Sequence, residues 1–200
     1  MTRLYYQGHG SFRITADDGR VIYVDPFAGD GYDLPADLVL ITHQHHDHNQ
    51  IGLITQKPTC QVISNFEALA GGEYRSFDID GIKVEAVVAG NKNHNSDQCV
   101  GYIISLDGLQ IYAAGDTSRT EQMASFAARQ LDYALLPGDG FYNMDVDEAA
   151  ACANLIAAKH AVPIHLVPDS VTDWSQERAE HFATLTPSAL LIAPGKEIEL

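Results

Sequence analysis

Short runs rich in β-branched and aromatic residues alternate with turns through the first half of the chain. They are RLYYQ at 3–7, SFRIT at 11–15, RVIYVD at 20–25, DLVLIT at 37–42 and QVIS at 61–64. GIKVEAVVAG (81–90), CVGYIISLDG (99–108) and LQIYAAGD (109–116) continue the pattern, and Asp107-Gly108 supplies the positive φ angles of a tight hairpin turn. Helical spacing emerges later. SRTEQMASFAARQ (118–130) offers Ser118 as a cap, and DVDEAAACANLIAAKH (145–160) has acids in its first turn with Lys159 and His160 in its last. SQERAEHFATL (175–185) is a third helix, and IGLIT, after Asn49, starts a further one. Each of the three later helices precedes a β-type run: LDYALLP, AVPIHLV and SALLIAP. Strands early and helix–strand units late predict sheets covered on their outer faces by helices.

A length of 200 residues suits one domain over 1–200. No apolar run approaches the ~20 residues that span a bilayer, so no membrane is expected. The N-terminus lacks the basic start, apolar stretch and cleavage site of a signal peptide, which leaves a cytoplasmic location as the default. Cys60, Cys99 and Cys152 are odd in number and far apart, and read as buried thiols rather than a disulfide framework or a CxxC zinc site. The formal charge is −15, from 27 acidic and 12 basic residues, with no Lys/Arg cluster. Such a surface repels a long polyanion, so nucleic acid is disfavoured and a small-molecule substrate is expected. A homo-oligomer stays open.

The densest chemistry lies at the end of DLVLIT. His43, His45, His46 and His48, with Asp47, fall within THQHHDHNQ. Composition alone would give H-x-H-x-D-H about once in 10³ such chains. Neutral imidazole and carboxylate are preferred ligands of zinc and similar divalent ions. His43 and His45, at alternate positions, can face one ion, and Asp47 with His48 a second. Further ligands must come from other strand ends. His94 precedes a strand, Asp116 closes LQIYAAGD beside Gly115, and His165 stands in AVPIHLV.

T-H-x-H-x-D-H after a hydrophobic strand, followed in order by His94, by Asp116 in AGDTS and by His165 in VPIHLVP, resembles the metallo-β-lactamase superfamily. GHGSF (8–12) and VDPF (24–27) are similar to its branch of small metal-dependent hydrolases, which includes ascorbate-6-phosphate lactonase and N-acyl phosphatidylethanolamine phospholipase D. The resemblance covers nearly the whole chain. It implies an α/β (α+β) fold, a four-layer αββα sandwich, holding two divalent metal ions. Zinc is the first expectation, and manganese, iron or nickel fit similar ligands. His43, His45 and His94 are assigned to one ion, Asp47, His48 and His165 to the other, and Asp116 to both. A metal-bridging hydroxide would then attack an ester, lactone or phosphodiester bond in a small molecule, with Asp47 orienting it and shuttling a proton.

His45 stands where diiron redox relatives carry Glu, which argues against redox chemistry. Asn49-Gln50 replaces the Gly-containing continuation of lactamases and acyl-homoserine lactonases. The insertions of RNA-processing relatives and the phospholipase's membrane-binding additions are missing as well. The alternatives are a phosphodiesterase or nuclease acting on short nucleic acid, and a non-catalytic metal-binding protein. His9, between Gly8 and Gly10, is a candidate catalytic residue, as a substrate contact or proton donor, or else packs on the ligand loop. Asp25 either holds a ligand imidazole or the ligand loop, or caps a strand-end turn. Asp139 and Tyr142 either shape the pocket or belong to an ordinary loop. His46 is expected to be exposed or behind the ligands, and His160 and His181 to lie on helices at the surface.

Overall fold

A computed structural model describes residues 1–168 and 174–200. The first sheet is built from β1 (Arg3–Gly8), β2 (Ser11–Thr15), β3 (Val21–Val24), β4 (Ala36–Leu40), β5 (Gln56–Ile63) and, from the far end of the chain, β12 (Lys196–Glu199). Its order is β12-β1-β2-β3-β4-β5, antiparallel as far as β3 and parallel from β3 to β5. The second sheet holds β6 (Ser76–Ile79), β7 (Ile82–Val88), β8 (Val100–Leu106), β9 (Leu109–Ala113), β10 (Tyr133–Pro137) and β11 (His160–Ile164). It runs in the order β11-β10-β9-β8-β7-β6 and is parallel only across β9, β10 and β11. The helices are α1 (Asn65–Ala68), α2 (Met123–Phe126), α3 (Val146–Ile156) and α4 (Gln176–Leu185).

Period-two patterning closes the two sheets on each other. Leu4 and Tyr6, Phe12 and Ile14, Ile22 and Val24, and Leu38 and Leu40 project from one side. Val84 and Ala86, Tyr102 and Ile104, Ile111 and Ala113, and Val162 and Ile164 meet them from the other. Burying a Leu or Ile of this set contributes about 1.5–3 kcal/mol. The alternate residues face outward and are covered differently on the two sheets. Ile103, Tyr112, Ala134 and Leu136 lie under α2, α3 and α4, where Ala149, Ala150 and Ala153 let α3 approach closely. Val21, Tyr23, Val39 and Ile41 are covered by Tyr32 and Leu34 from a loop and by Ile51 and Ile54. The layers follow the αββα order, with the longer helices on the second sheet. Among the described residues, no helix is long and apolar enough to cross a membrane.

Several expectations are corrected. The helix expected over 118–130 reduces to α2 and a 3-10 turn at Ala127–Arg129. Ser118 does not cap it, because the amides of Ser118 and Arg119 are taken by the Gly90 carbonyl (3.1 Å) and the Glu148 carboxylate (2.8 Å). IGLIT forms only a 3-10 turn at Ile51–Leu53 before the chain extends into β5. SALLIAP makes one bridge, Ala189 to Ala161, instead of a strand. Helix α3 stops at Ile156, where Ala157 turns left-handed (φ 54°). Lys159 and His160 therefore lie beyond it, and His160 begins β11 as its amide donates to the Asp132 carbonyl. Cys99 and Cys152 are buried, whereas Cys60 is only half-buried on edge strand β5. The Asp107-Gly108 hairpin forms with φ of 50° and 80°.

Candidate metal centre

Seven strand connections meet at one end of the sandwich. His9 lies between β1 and β2, Asp25 follows β3, the His43–His48 loop follows β4, and His94 lies between β7 and β8. Asp116, Asp139 and His165 follow β9, β10 and β11. Three of these, His9 (φ 55°), Asp25 (φ 46°) and His165 (φ 49°), hold left-handed backbone that a non-glycine residue adopts at a cost of order 1–3 kcal/mol. Neighbours fix that geometry. Tyr6 Oη and the His165 amide both donate to the His9 carbonyl, at 2.8 and 2.9 Å. A Cβ on Gly10 would lie 2.7 Å from His48 Cε1, and one on Gly115, 2.9 Å from Thr42, so both positions need glycine for close approach.

The donor atoms gather in three overlapping sets, each within 4.8 Å: His43, His45 and His94; His43, His48 and Asp116; and Asp47, His48 and His165 with His9. His43 Nε2 and His45 Nδ1 face each other at 3.1 Å. Asp116 reaches both groups, with Oδ2 3.2 Å from His94 Nε2 and Oδ1 3.4 Å from His48 Nε2. Asp47 Oδ2 lies 3.7 Å from His48 Nε2, 4.0 Å from His165 Nε2 and 3.0 Å from His9 Nε2. Two ligands about 2.1 Å from a shared ion sit roughly 3.4 Å apart in a tetrahedron, which these separations bracket. Buried His48 Nε2 and His165 Nε2 have no hydrogen-bond partner, and a cation between the donors is what would satisfy them. The residues fit a metal centre.

The opposite ring nitrogens are held from behind. Thr42 Oγ1 lies 3.1 Å from His43 Nδ1, Asp25 Oδ2 is 2.9 Å from His48 Nδ1, and Asn91 Oδ1 is 3.0 Å from His94 Nδ1. Asp139 Oδ2 faces His165 Nδ1 at 3.4 Å without hydrogen-bond alignment. Asp25 also accepts from Thr42 N and Thr42 Oγ1, both at 2.7 Å, so it holds an imidazole and the ligand loop together. Such partners choose the tautomer and leave the inward nitrogen free to bind.

Electrostatics prepare most of the set. Burial, reinforced by neighbouring His48, holds His43 neutral, and burial with nearby His94 lowers His45. Burial also lowers His165, against the attraction of Asp116. Burial opposes ionisation of Asp116 and Asp47, yet both are held below the usual carboxylate range, Asp116 by His48 and His165, Asp47 by its bond from His9 and by His48. Neutral imidazole and ionised carboxylate are the forms that bind metal. His48 runs the other way: burial is outweighed by Asp116 and Asp25, which raise it. Two buried carboxylates call for positive charge at that point, and a proton on His48 answers as a metal ion would.

The model of the beta-lactamase superfamily domain matches residues 3–165. The chain belongs to the metallo-β-lactamase superfamily. A UPF0173 metal-dependent hydrolase of Pyrococcus furiosus is 27% identical to it, and the match spans 100% of both chains. The crystal structure of a protein of Parabacteroides distasonis, assigned as a metal-dependent hydrolase, superposes with a TM-score of 0.78 at 30% identity over 95% of this chain and 92% of that one. Igni18, a metallo hydrolase of Ignicoccus hospitalis, shares the fold at a TM-score of 0.77, with 24% identity and 100% and 99% coverage.

In this member of the superfamily the donors open onto a cleft of about 440 Å³. Phe27, Tyr142 and Pro168 give it apolar lining beside His45, Asp47 and Asp116. Asp139 is buried away from the cleft, where it accepts from the amides of Phe141 (2.7 Å) and Tyr142 (2.6 Å) and shapes the loop that carries Tyr142. His46 is exposed at the rim with its ring 5.7 Å from Phe27. His160 and His181 are not brought to the centre; His181, on α4, lies 3.3 Å from Asp147. Thr42, Asn91 and Arg178 were not singled out by the sequence. Arg178 Nη1 donates to the main-chain oxygens of Asp139 and Leu166 and ties together the loops after β10 and β11. A lone Arg on a helix carries no sequence signal for that role.

Proposed function

We propose that this metal-dependent hydrolase binds two divalent ions, zinc first, and cleaves an ester, lactone or phosphodiester bond in a small molecule. One observation carries the reading: seven side chains able to hold a metal, from four strand connections, gather beside one cleft with two buried imidazole nitrogens unpartnered. His43, His45 and His94 would hold one ion, Asp47, His48 and His165 the other, and Asp116 both. The ions would acidify bound water and polarise the oxygen of the scissile group. Asp47 lies at the cleft wall and can accept the proton of the attacking water on its carboxylate. His9 Nε2, 3.0 Å from Asp47 Oδ2, can orient that carboxylate and pass a proton towards the leaving oxygen. Phe27 and Tyr142 would give the substrate apolar surface to pack on.

Elemental analysis of untagged protein tests the metal reading, with close to two ions per chain expected. Asp47→Ala is expected to keep the fold by circular dichroism and lose turnover. No uptake on reconstitution, or an active Asp47→Ala chain, would overturn the assignment.

A further inference from the structure

The rings of His45 and His94, with centroids 4.9 Å apart, form a saddle between two clefts. Beyond it lies a second cleft of about 420 Å³, and His45, Asn93 and His94 border both. The walls differ in chemistry. The first offers Phe27 and Tyr142, while the second offers Gln44, Asn65, Gln98 and the ring of Phe66.

Asn65 and Gln44 of the second wall are held by hydrogen bonds. Asn65 is buried; its Nδ2 donates to the Gln98 carbonyl at 2.8 Å, and its Oδ1 accepts from Gln44 Nε2 at 2.7 Å. Phe66 is 67% exposed, an unusual position for a large ring, and its backbone is held by a helix cap. Its amide donates to Ser64 Oγ, and Glu67 returns a bond to the Ser64 amide in a capping box. A presented ring beside an ordered row of amides suits a flat group that hydrogen-bonds without charge.

Charge narrows the substrate further. Among the described residues, no Lys or Arg lines either cleft. The bound ions would balance charge only at the scissile group, so an anionic arm further out, on a chain of net charge −15, would find no side-chain counter-ion there. Resting on the hydrolase reading above, we propose that the substrate is an uncharged carboxylic ester or lactone lying across the His45–His94 saddle. Its apolar arm packs on Phe27 and Tyr142, and its other arm presents an amide or hydroxyl with a flat face to Gln44 and Phe66. Water adds to the carbonyl carbon, the acyl C–O bond breaks, and the departing oxygen takes a proton, so an ester gives an acid and an alcohol and a lactone gives one hydroxy acid.

The test uses the full chain loaded with zinc and three chromogenic esters: 4-nitrophenyl acetate, 4-nitrophenyl N-acetylglycinate and 4-nitrophenyl hydrogen adipate. Each kcat/KM is divided by the ester's hydrolysis rate in buffer. The neutral amide arm is expected to gain about tenfold over acetate, and the anionic adipate arm nothing. Phe66→Ala is expected to bring the N-acetylglycinate/acetate ratio close to one. Because this is a ratio within one preparation, partial misfolding leaves it unaffected. An adipate ester as good as the N-acetylglycinate, or a ratio unchanged in Phe66→Ala, overturns the proposal. Turnover of bis(4-nitrophenyl) phosphate with none of the esters overturns it while the hydrolase reading stands. A metal-loaded chain inert to all four compounds overturns both.

Discussion

Asp25→Asn exchanges one carboxylate oxygen for an NH2 group at a point where each hydrogen bond is committed. Asp25 is 1% exposed and sits at φ 46°, a left-handed conformation that asparagine tolerates well. Oδ1 accepts from Thr42 N, while Oδ2 accepts from Thr42 Oγ1 and faces His48 Nδ1 at 2.9 Å. The amide has one acceptor oxygen for these three groups. With that oxygen on Thr42 N, the NH2 group meets His48 Nδ1 as a donor. His48 can accept there only by moving its proton to Nε2, the nitrogen that points at Asp116 from 3.4 Å. A protonated Nε2 has no lone pair for an ion.

Loss of a partner behind a metal-binding histidine typically weakens metal affinity by about 10–100-fold, or roughly 1.4–2.7 kcal/mol. On the proposed assignment the loss should be largest at the ion of His48 and smaller at the His43–His45–His94 position, where Thr42 Oγ1, behind His43 Nδ1, loses its acceptor. Competition of the apo-protein with a fluorescent zinc chelator, fitted to two sites, measures both affinities. Near-ultraviolet circular dichroism checks that the core is intact. Asp25→Ala is a poorer probe, since it strands three buried donors at about 1–3 kcal/mol each and folding itself would suffer. If Asp25→Asn binds both ions within about twofold of the parent, Asp25 does not set the tautomer of His48 and the argument fails.

Three further perturbations separate local from global roles. Arg178→Ala, which frees the loops after β10 and β11, should weaken the ion held by His165 about tenfold in the same titration. Arg178→Lys, whose one nitrogen carries three N–H donors, should restore part of it, because Nη1 alone makes both bonds, and equal loss at both ions would refute a local role. Gly10→Ala places a Cβ 2.7 Å from His48 Cε1 and should lower stability by about 1–3 kcal/mol in urea unfolding; an unchanged midpoint would contradict the packing. Ser64→Ala removes the α1 cap and should cost about 1 kcal/mol with metal content unchanged. The Ser64 hydroxyl holds Glu67 below its ordinary value, so the cap's contribution is full above the usual carboxylate range. It is lost as pH falls through the lowered value, and a gap between parent and variant that widens on acidification would contradict this.

What could be read from the sequence differs between ligands and the residues that aim them. His43, His45, Asp47 and His48 are rare types packed closely after an apolar strand, and His94, Asp116 and His165 repeat those types at other strand ends; the structure gathers all seven. Interior strands such as β4 and β8 were visible because burial on both faces demands long apolar runs. The edge strands β6 and β12, SFDI and KEIE, leave little trace in the sequence because an edge needs little hydrophobicity and carries charge against mispairing. Residues 118–130 had helical spacing but lost their amides to Gly90 and Glu148, partners that only the tertiary fold supplies. Thr42, Asn91 and Arg178 belong with this second group. Each is a common residue type, and its effect lies in which ring nitrogen or carbonyl it faces after folding. Donor identity is a property of the side chain, and therefore of the sequence. Tautomer and aim are properties of pairs brought together across the fold, so Asp25, held to the ligand loop through Thr42 and to His48 by its second oxygen, tests the centre more sharply than the removal of any single ligand.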